Sequence, residues 1–217
     1  PVWKASGCFA GSRQAMDFGG DSDKDYINCG FVLNPSEQTA LTVEAWVNLS
    51  DTTKYNHFIW QKKNDSGDTE GFGWLFFNPN SGKFRTALGT DPGKASNKSV
   101  IPGEWTHLAV VWTGTSLNLY CNGILDTTFT GINTLRPSGR ILSLGWSGAW
   151  TNTYFEGQLD EVRIWTTART GSEIRECMFK TLAGNETGLK AYYRFDQYDG
   201  STLFDMTANG YNGTLTN

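Results

Sequence analysis

The chain has 217 residues, a formal net charge of −4, 25 glycines, 14% aromatic residues and only 18% charged residues. That profile suits one all-β domain of short strands and many turns. It disfavours nucleic-acid binding, because no block of Lys or Arg is present to neutralise phosphates. No apolar run approaches the length of a membrane span. The sequence opens at Pro1 without a leader-like stretch and so reads as a piece of a longer chain.

In chain order, residues 1–11 read as irregular. AMDFGG (15–20) leads into a loop with three aspartates, Asp21, Asp23 and Asp25, and then the strand DYINC (25–29). LTVEAWVNLS (41–50) alternates, with Val43, Ala45, Val47 and Leu49 on one face and Glu44, Trp46 and Asn48 on the other. HFIWQKK (57–63) and GFGWLFF (71–77) are the next two strands. The second is expected to place Phe72, Trp74 and Phe76 on one side and Leu75 with Phe77 on the other. After the turn cluster 78–82, KFRTAL (83–88) returns, and the polar, Gly/Pro-punctuated stretch 90–102 reads as a long loop.

Residues 105–112 predict a strand covered on both sides. Leu108, Val110 and Trp112 fall on one face, and Trp105, His107, Ala109 and Val111 on the other. A Thr-Gly-Thr turn (113–115) and a second strand follow. Asn122-Gly123 then supplies the strongest short-range hairpin signal, since both residues tolerate positive φ. Further on come a loop (132–140), a strand (141–145), a loop with Trp150, Tyr154 and Phe155 (147–157), and the strand GQLDEVRIW (157–165). Residues 170–179 predict a short helix capped by Gly171-Ser172, with Ile174 and Met178 on one face. The chain closes on LKAYYRF (189–195), a turn-rich loop (205–213) and residues 214–216.

Four cysteines, Cys8, Cys29, Cys121 and Cys177, lack metal-site spacing. Sequence alone leaves all of their pairings open. Cys8 and Cys29, flanking the first strand, form the preferred disulfide, and Cys121 reads as a buried free thiol. The N-x-[ST] matches at Asn48, Asn64, Asn97, Asn185 and Asn212 are expected by chance in so Ser/Thr/Asn-rich a chain.

The run WTHLAVVW, LNLYCNG, LGW and GQLDEVRIW resembles the laminin-G-like branch of the concanavalin A-like lectin/glucanase jelly rolls. The likeness extends upstream through 15–27 and 41–48 and downstream through 188–196 and 205–215. It implies an all-β jelly-roll sandwich of two antiparallel sheets over 1–217, with one short helix near 171–179. In the family, the piece similar to 188–217 commonly stands at the start of a domain. Here it comes last, and it is expected to complete the same sandwich rather than belong to a neighbouring repeat.

Period two aims Asp160 inward with Val162 and Ile164, and a buried carboxylate needs a cation or several donors. The resemblance implies structural Ca²⁺ at Asp160 with carbonyls near Gly19 and Gly20 and a carboxylate from Asp17 or Asp21. The alternate spacing of Asp205, Thr207 and Asn209 resembles the oxygen pattern of calcium loops. The competing readings are a carboxylate tied to backbone N–H groups and an Asx-turn at Asp205. The W-x-H and LG motifs also resemble the pentraxin branch, which binds ligands through calcium held by an acid/amide cluster after the LG strand. Residues 145–150 here carry no acid, so that mode is not expected.

Of the nine tryptophans, Trp46, Trp105, Trp112 and Trp165 fall on framework positions of the resemblance. Trp146, Trp150, Tyr154, Trp60 and Trp74 are the expected sugar-stacking surface, with His57, Gln61, Arg85 and Asn152 as polar partners. The alternative for these rings is that they simply cover hydrophobic edges. The paired-carboxylate spacing of jelly-roll glucanases is absent, so catalysis is not expected. The reading is a non-catalytic polysaccharide-binding module of a secreted or cell-surface, bacterial protein, monomeric or part of a multidomain chain. Its rival is a structural or adhesive repeat that binds no sugar.

Overall fold

A computed structural model describes residues 1–4, 7–9, 14–61, 72–88, 93–135, 138–148, 152–197 and 200–216. In chain order the strands are β1 (Val2–Lys4), β2 (Ala15–Gly19), β3 (Tyr26–Asn28), β4 (Leu41–Leu49), β5 (Asn56–Gln61), β6 (Phe72–Asn78), β7 (Lys83–Leu88) and β8 (Lys94–Ser99). They continue as β9 (Trp105–Trp112), β10 (Ser116–Cys121), β11 (Ile124–Thr130), β12 (Leu142–Leu144), β13 (Glu156–Trp165), β14 (Leu189–Tyr193), β15 (Thr202–Leu203) and β16 (Gly213–Thr216). The helix α1 (Gly171–Cys177) is capped one residue earlier than expected. The Thr170 hydroxyl accepts from the Glu173 N–H while Glu173 accepts from the Thr170 N–H. Among the described residues no helix is long and apolar enough to cross a membrane.

Two antiparallel sheets face each other. The first runs β1-β2-β13-β4-β9-β10-β11 with β14 also beside β13, and the second runs β15-β16-β3-β12-β5-β6-β7-β8. Residues 189–216 therefore enter both sheets, through β14 on β13 and β16 on β3. Between the sheets pack Phe18, Val43, Val47, Phe58, Leu108, Val110, Leu159, Ile164 and Tyr193, all essentially without solvent exposure. The alternation read in 41–50 and 105–112 holds, and both strands are covered on both faces.

Four expectations change. Residues 2–4 form the edge strand β1. KASNKS within the expected loop is β8, whose Lys-rich, polar character is that of an edge strand. All four cysteines are free: the Cys8 amide donates to Asp160, while Cys29 sits in the core at 2% exposure. Finally, Asp160 faces away from the core. The register shifts between Asp160 and Arg163, where Glu161 takes φ 51°, so the bulge moves the alternation out of phase. Asp160 pairs with Trp46, on the outer face of β4, while Leu159 pairs with Val47 in the core.

The same bulge organises the outer face of the first sheet. Beneath α1 and residues 178–182 lie Glu44, His107, Glu161, Arg163, Trp165 and Tyr192, each at most 1% exposed. Arg163 bonds Glu161 Oε2 at 2.5 Å, lies 3.9 Å from Glu44 Oε1, and donates to the carbonyls of Cys177 and Lys180. Trp165 donates to Glu44 at 2.8 Å, and the Tyr192 hydroxyl donates to Glu161 at 2.5 Å. Burial pushes both carboxyls up, and the Arg163 charge pulls them back. Burial works against the guanidinium too, but the two glutamates outweigh it and keep Arg163 firmly protonated.

Candidate functional site

The outer face of the second sheet gathers most of the expected contact residues. β5 carries register shifts between His57 and Ile59 and between Ile59 and Trp60, which turn both His57 and Trp60 outward while Phe58 and Ile59 enter the core. The His57 and Trp60 rings lie 4.3 Å apart between centroids. Phe76 on β6 meets His57 edge-on at 5.8 Å and Trp60 at 5.3 Å. Opposite Trp60 stands Gly73, and a Cβ there would come within 2.4 Å of the indole. A glycine inside a strand commonly marks such a close approach, and here it seats the tryptophan flat against the sheet. Gly73→Ala is expected to cost about 1–3 kcal/mol by overpacking, read as a lower urea midpoint and a changed near-ultraviolet spectrum.

This trio is a floor, since His57, Trp60 and Phe76 are only 3%, 4% and 6% exposed. Burial lowers the His57 pKa to about 3, so its ring is neutral at physiological pH. The accessible part stands beside the floor. The Ser143 hydroxyl, on β12, donates to the carbonyls of Trp60 and Trp146, and the His57 amide donates to the Thr153 carbonyl. These bonds bring the loop after β12 onto the same face. There Trp146 stacks on Tyr154 with centroids 4.8 Å apart and planes 8° from parallel, and Tyr26 leans on Trp146 at 5.1 Å. All three rings are partly exposed and form a ridge. Asn152 is exposed beside it in the left-handed region, at φ 59°. Arg85, opposite Phe76 on β7, marks the other side of the face and donates to the Gly93 carbonyl at 2.6 Å.

Of the expected contacts, Trp60, His57, Arg85, Trp146, Tyr154 and Asn152 thus share one face, and Trp150 lies outside the described residues. Trp74 and Gln61 do not belong to it. A register shift between Gly73 and Phe76 sends Trp74 and Leu75 together into the core and turns Phe76 outward. Trp74 stacks on Phe72 at 5.2 Å and is 2% exposed. The Gln61 amide is spent on the carbonyls of Leu33, Ser138 and Arg140. Phe76 and Tyr26 are the residues sequence reasoning missed. Gly73 in mid-strand was the available signal for the floor.

The residues expected to hold calcium do not converge. Gly19 faces Glu156, four positions along β13 from Asp160, a separation of about 13 Å at strand rise. The Asp160 carboxylate accepts from the backbone N–H groups of Cys8 and Glu161. Asp17 pairs with Gln158 inside the sheet, and the Gly19 and Gly20 carbonyls accept from Ser22 and from the Lys24 amide. Asp205 receives the amides of Tyr192, Thr207 and Tyr211 and the Thr207 hydroxyl, and Asn209 donates to the Lys190 carbonyl. That is an Asx-turn closed on itself, with its oxygens already in use. Asp21 binds the Lys54 ammonium and the Tyr154 amide. Among the described residues no group of three or more His, Cys, Asp or Glu side chains is placed to hold a metal ion. The residues predicted to hold calcium are thus engaged in separate bonds of the protein's own and are not brought together at one point.

A family model described as the Concanavalin A-like lectin/glucanases superfamily matches residues 20–175. Mouse and human pappalysin-1 are 34% and 32% identical to the chain over 84 residues, which is 36% of this chain and 5% of those proteins. Among solved structures, a Bacteroides ovatus protein provisionally described as carbohydrate binding superposes with a TM-score of 0.73 at 22% identity, over 94% of this chain and 58% of that one. Domain 4 of an extracellular arabinanase from Geobacillus stearothermophilus, in complex with arabinotriose, gives 0.59 at 20% identity, over 80% and 79%. A pentraxin from Limulus polyphemus gives 0.60 at 16%, over 84% and 92%. At these identities the likeness is one of fold.

Proposed function

The chain belongs to the Concanavalin A-like lectin/glucanases superfamily, and on that footing we propose that it is a non-catalytic carbohydrate-binding module of a secreted or cell-surface protein. The ridge of Tyr26, Trp146 and Tyr154 is its contact surface. One observation carries this reading: three partly exposed rings, two of them stacked in parallel, stand together on one sheet face beside the buried trio of His57, Trp60 and Phe76. Ring faces of this kind accept the C–H face of a pyranose or furanose, and Asn152 and Arg85 offer donors for hydroxyl pairs. One fold relative described as carbohydrate binding and another solved in complex with arabinotriose support it. The non-catalytic half rests on the carboxylates. Asp160 and Glu161 lie on the opposite sheet, committed to backbone N–H groups and to Arg163 and Tyr192.

Affinity electrophoresis against soluble polysaccharides, arabinan among them, tests the proposal. At least one gel should retard the protein, and Trp146→Ala should weaken that binding by roughly thirtyfold, about 2 kcal/mol. A protein that migrates freely through every polysaccharide would instead be read as a structural repeat.

A further inference from the structure

The ridge is tied to the rest of the domain through a largely buried lysine. Lys54, in the loop after β4, extends its ammonium into a ring of three carboxylates from separate segments: Asp21 at 2.8 Å, Glu156 at 3.5 Å and Asp51 at 3.9 Å. The Lys54 side chain is only 17% exposed, so water shields these contacts less than at an open surface. Gly20, at φ 71°, leaves the room for them, because a Cβ there would meet Glu156 Oε2 at 2.7 Å and Lys54 Nζ at 2.8 Å. The other oxygen of Asp21 accepts from the Tyr154 amide at 3.2 Å. Asn56 completes the seam: its side chain donates to the Asp51 and Lys54 carbonyls and accepts from the Glu156 amide.

We propose that Lys54 is the built-in cation of this junction, a positioning residue that, through Asp21, holds Tyr154 in its stack on Trp146 without a metal ion. Three acids from three chain segments repel one another unless a positive charge joins them, and the lysine supplies it as a covalent part of the fold. A divalent ion would have to expel the ammonium to enter. The junction should therefore be indifferent to both chelator and calcium. The value of the ridge for binding rests on the function proposed above, but the clamp is read on the unliganded protein, so the two ideas fail separately.

The experiment is near-ultraviolet circular dichroism of the unliganded domain, with Trp146→Phe identifying the band that belongs to the stacked pair. Lys54→Met should abolish that band while far-ultraviolet dichroism stays unchanged, and Lys54→Arg should restore it. Asp21→Asn is the second variant. Its amide oxygen can still accept from Tyr154, but the nearest of the ammonium's three carboxylate partners is gone, and the band should weaken. The Trp146 band of the unaltered protein should be the same in excess EDTA and in excess CaCl₂. The proposal is overturned if Lys54→Met leaves the Trp146 band intact, or if that band differs between excess CaCl₂ and excess EDTA in the unaltered protein.

Discussion

Arg163→Met is expected to cost about 3–5 kcal/mol at neutral pH, more than the overpacking expected of Gly73→Ala. The methionine fills the volume, but it leaves Glu161 and Glu44 buried without their cation and the Cys177 and Lys180 carbonyls without their donor. The segment after α1 is docked through those carbonyls and through the bond from Trp46 to Met178, so its release should accompany the loss. The pH dependence identifies the mechanism. Burial already raises both carboxyls, and without Arg163 they rise further. The folded variant then takes up protons above the unfolded carboxyl pKa, which adds stability as pH falls toward it. Urea titrations of variant and parent should show the deficit largest near pH 7 and smaller near pH 5. A deficit that does not change with pH would mean that lost packing, not stranded charge, is responsible.

Acid should destabilise the domain through His57. Its pKa is lowered to about 3 by burial, whereas the unfolded chain titrates near 6.5. A base whose folded pKa is lowered leaves the folded state fully stable above the unfolded value. Stability is lost as pH falls, because only the unfolded chain takes the proton. The loss attributable to His57 should reach roughly 2–3 kcal/mol at pH 4.5. His107 behaves alike, at about 3, but it faces Glu44 at 3.5 Å, whose own shift acts in the opposite sense. His57 is therefore the cleaner probe. The stability difference between the parent and His57→Gln should change in favour of the variant by that amount between pH 7 and 4.5. A constant difference over that range would show that His57 does not stay neutral in the fold.

Both predictions sit on buried residues of the two sheets, and the sheets were legible in the sequence wherever period two runs unbroken. Strands β4 and β9 alternate without interruption, so their inner and outer faces were read directly from residues 41–50 and 105–112. The errors fall where the alternation breaks. One bulge turned Asp160 from the core to the outer face, and another sent Trp74 inward and Phe76 outward. Nothing in one sequence marks the residue at which a strand slips by one, and a single slip exchanges every later side chain between faces. β8 was hidden by its polarity, since an edge strand of Lys, Ser and Asn looks like a loop. The ridge was half visible. Trp146 and Tyr154 stood out as aromatics in a loop, but Tyr26 joins them only through the pairing of β3 with β12, which lies more than a hundred residues away in the chain.

The central claim, that the Tyr26, Trp146 and Tyr154 ridge is the sugar-binding surface, is tested most directly by following the indole N–H signals of the nine tryptophans by NMR. An oligosaccharide of whichever polysaccharide retards the protein is titrated in. The Trp146 signal should shift in a saturable manner, with a smaller response at Trp60 in the floor. Trp74 and Trp112 in the core and Trp165 beneath α1 should stay in place. Shifts centred on Trp165, or a Trp146 signal that never moves while the ligand binds, would contradict the account.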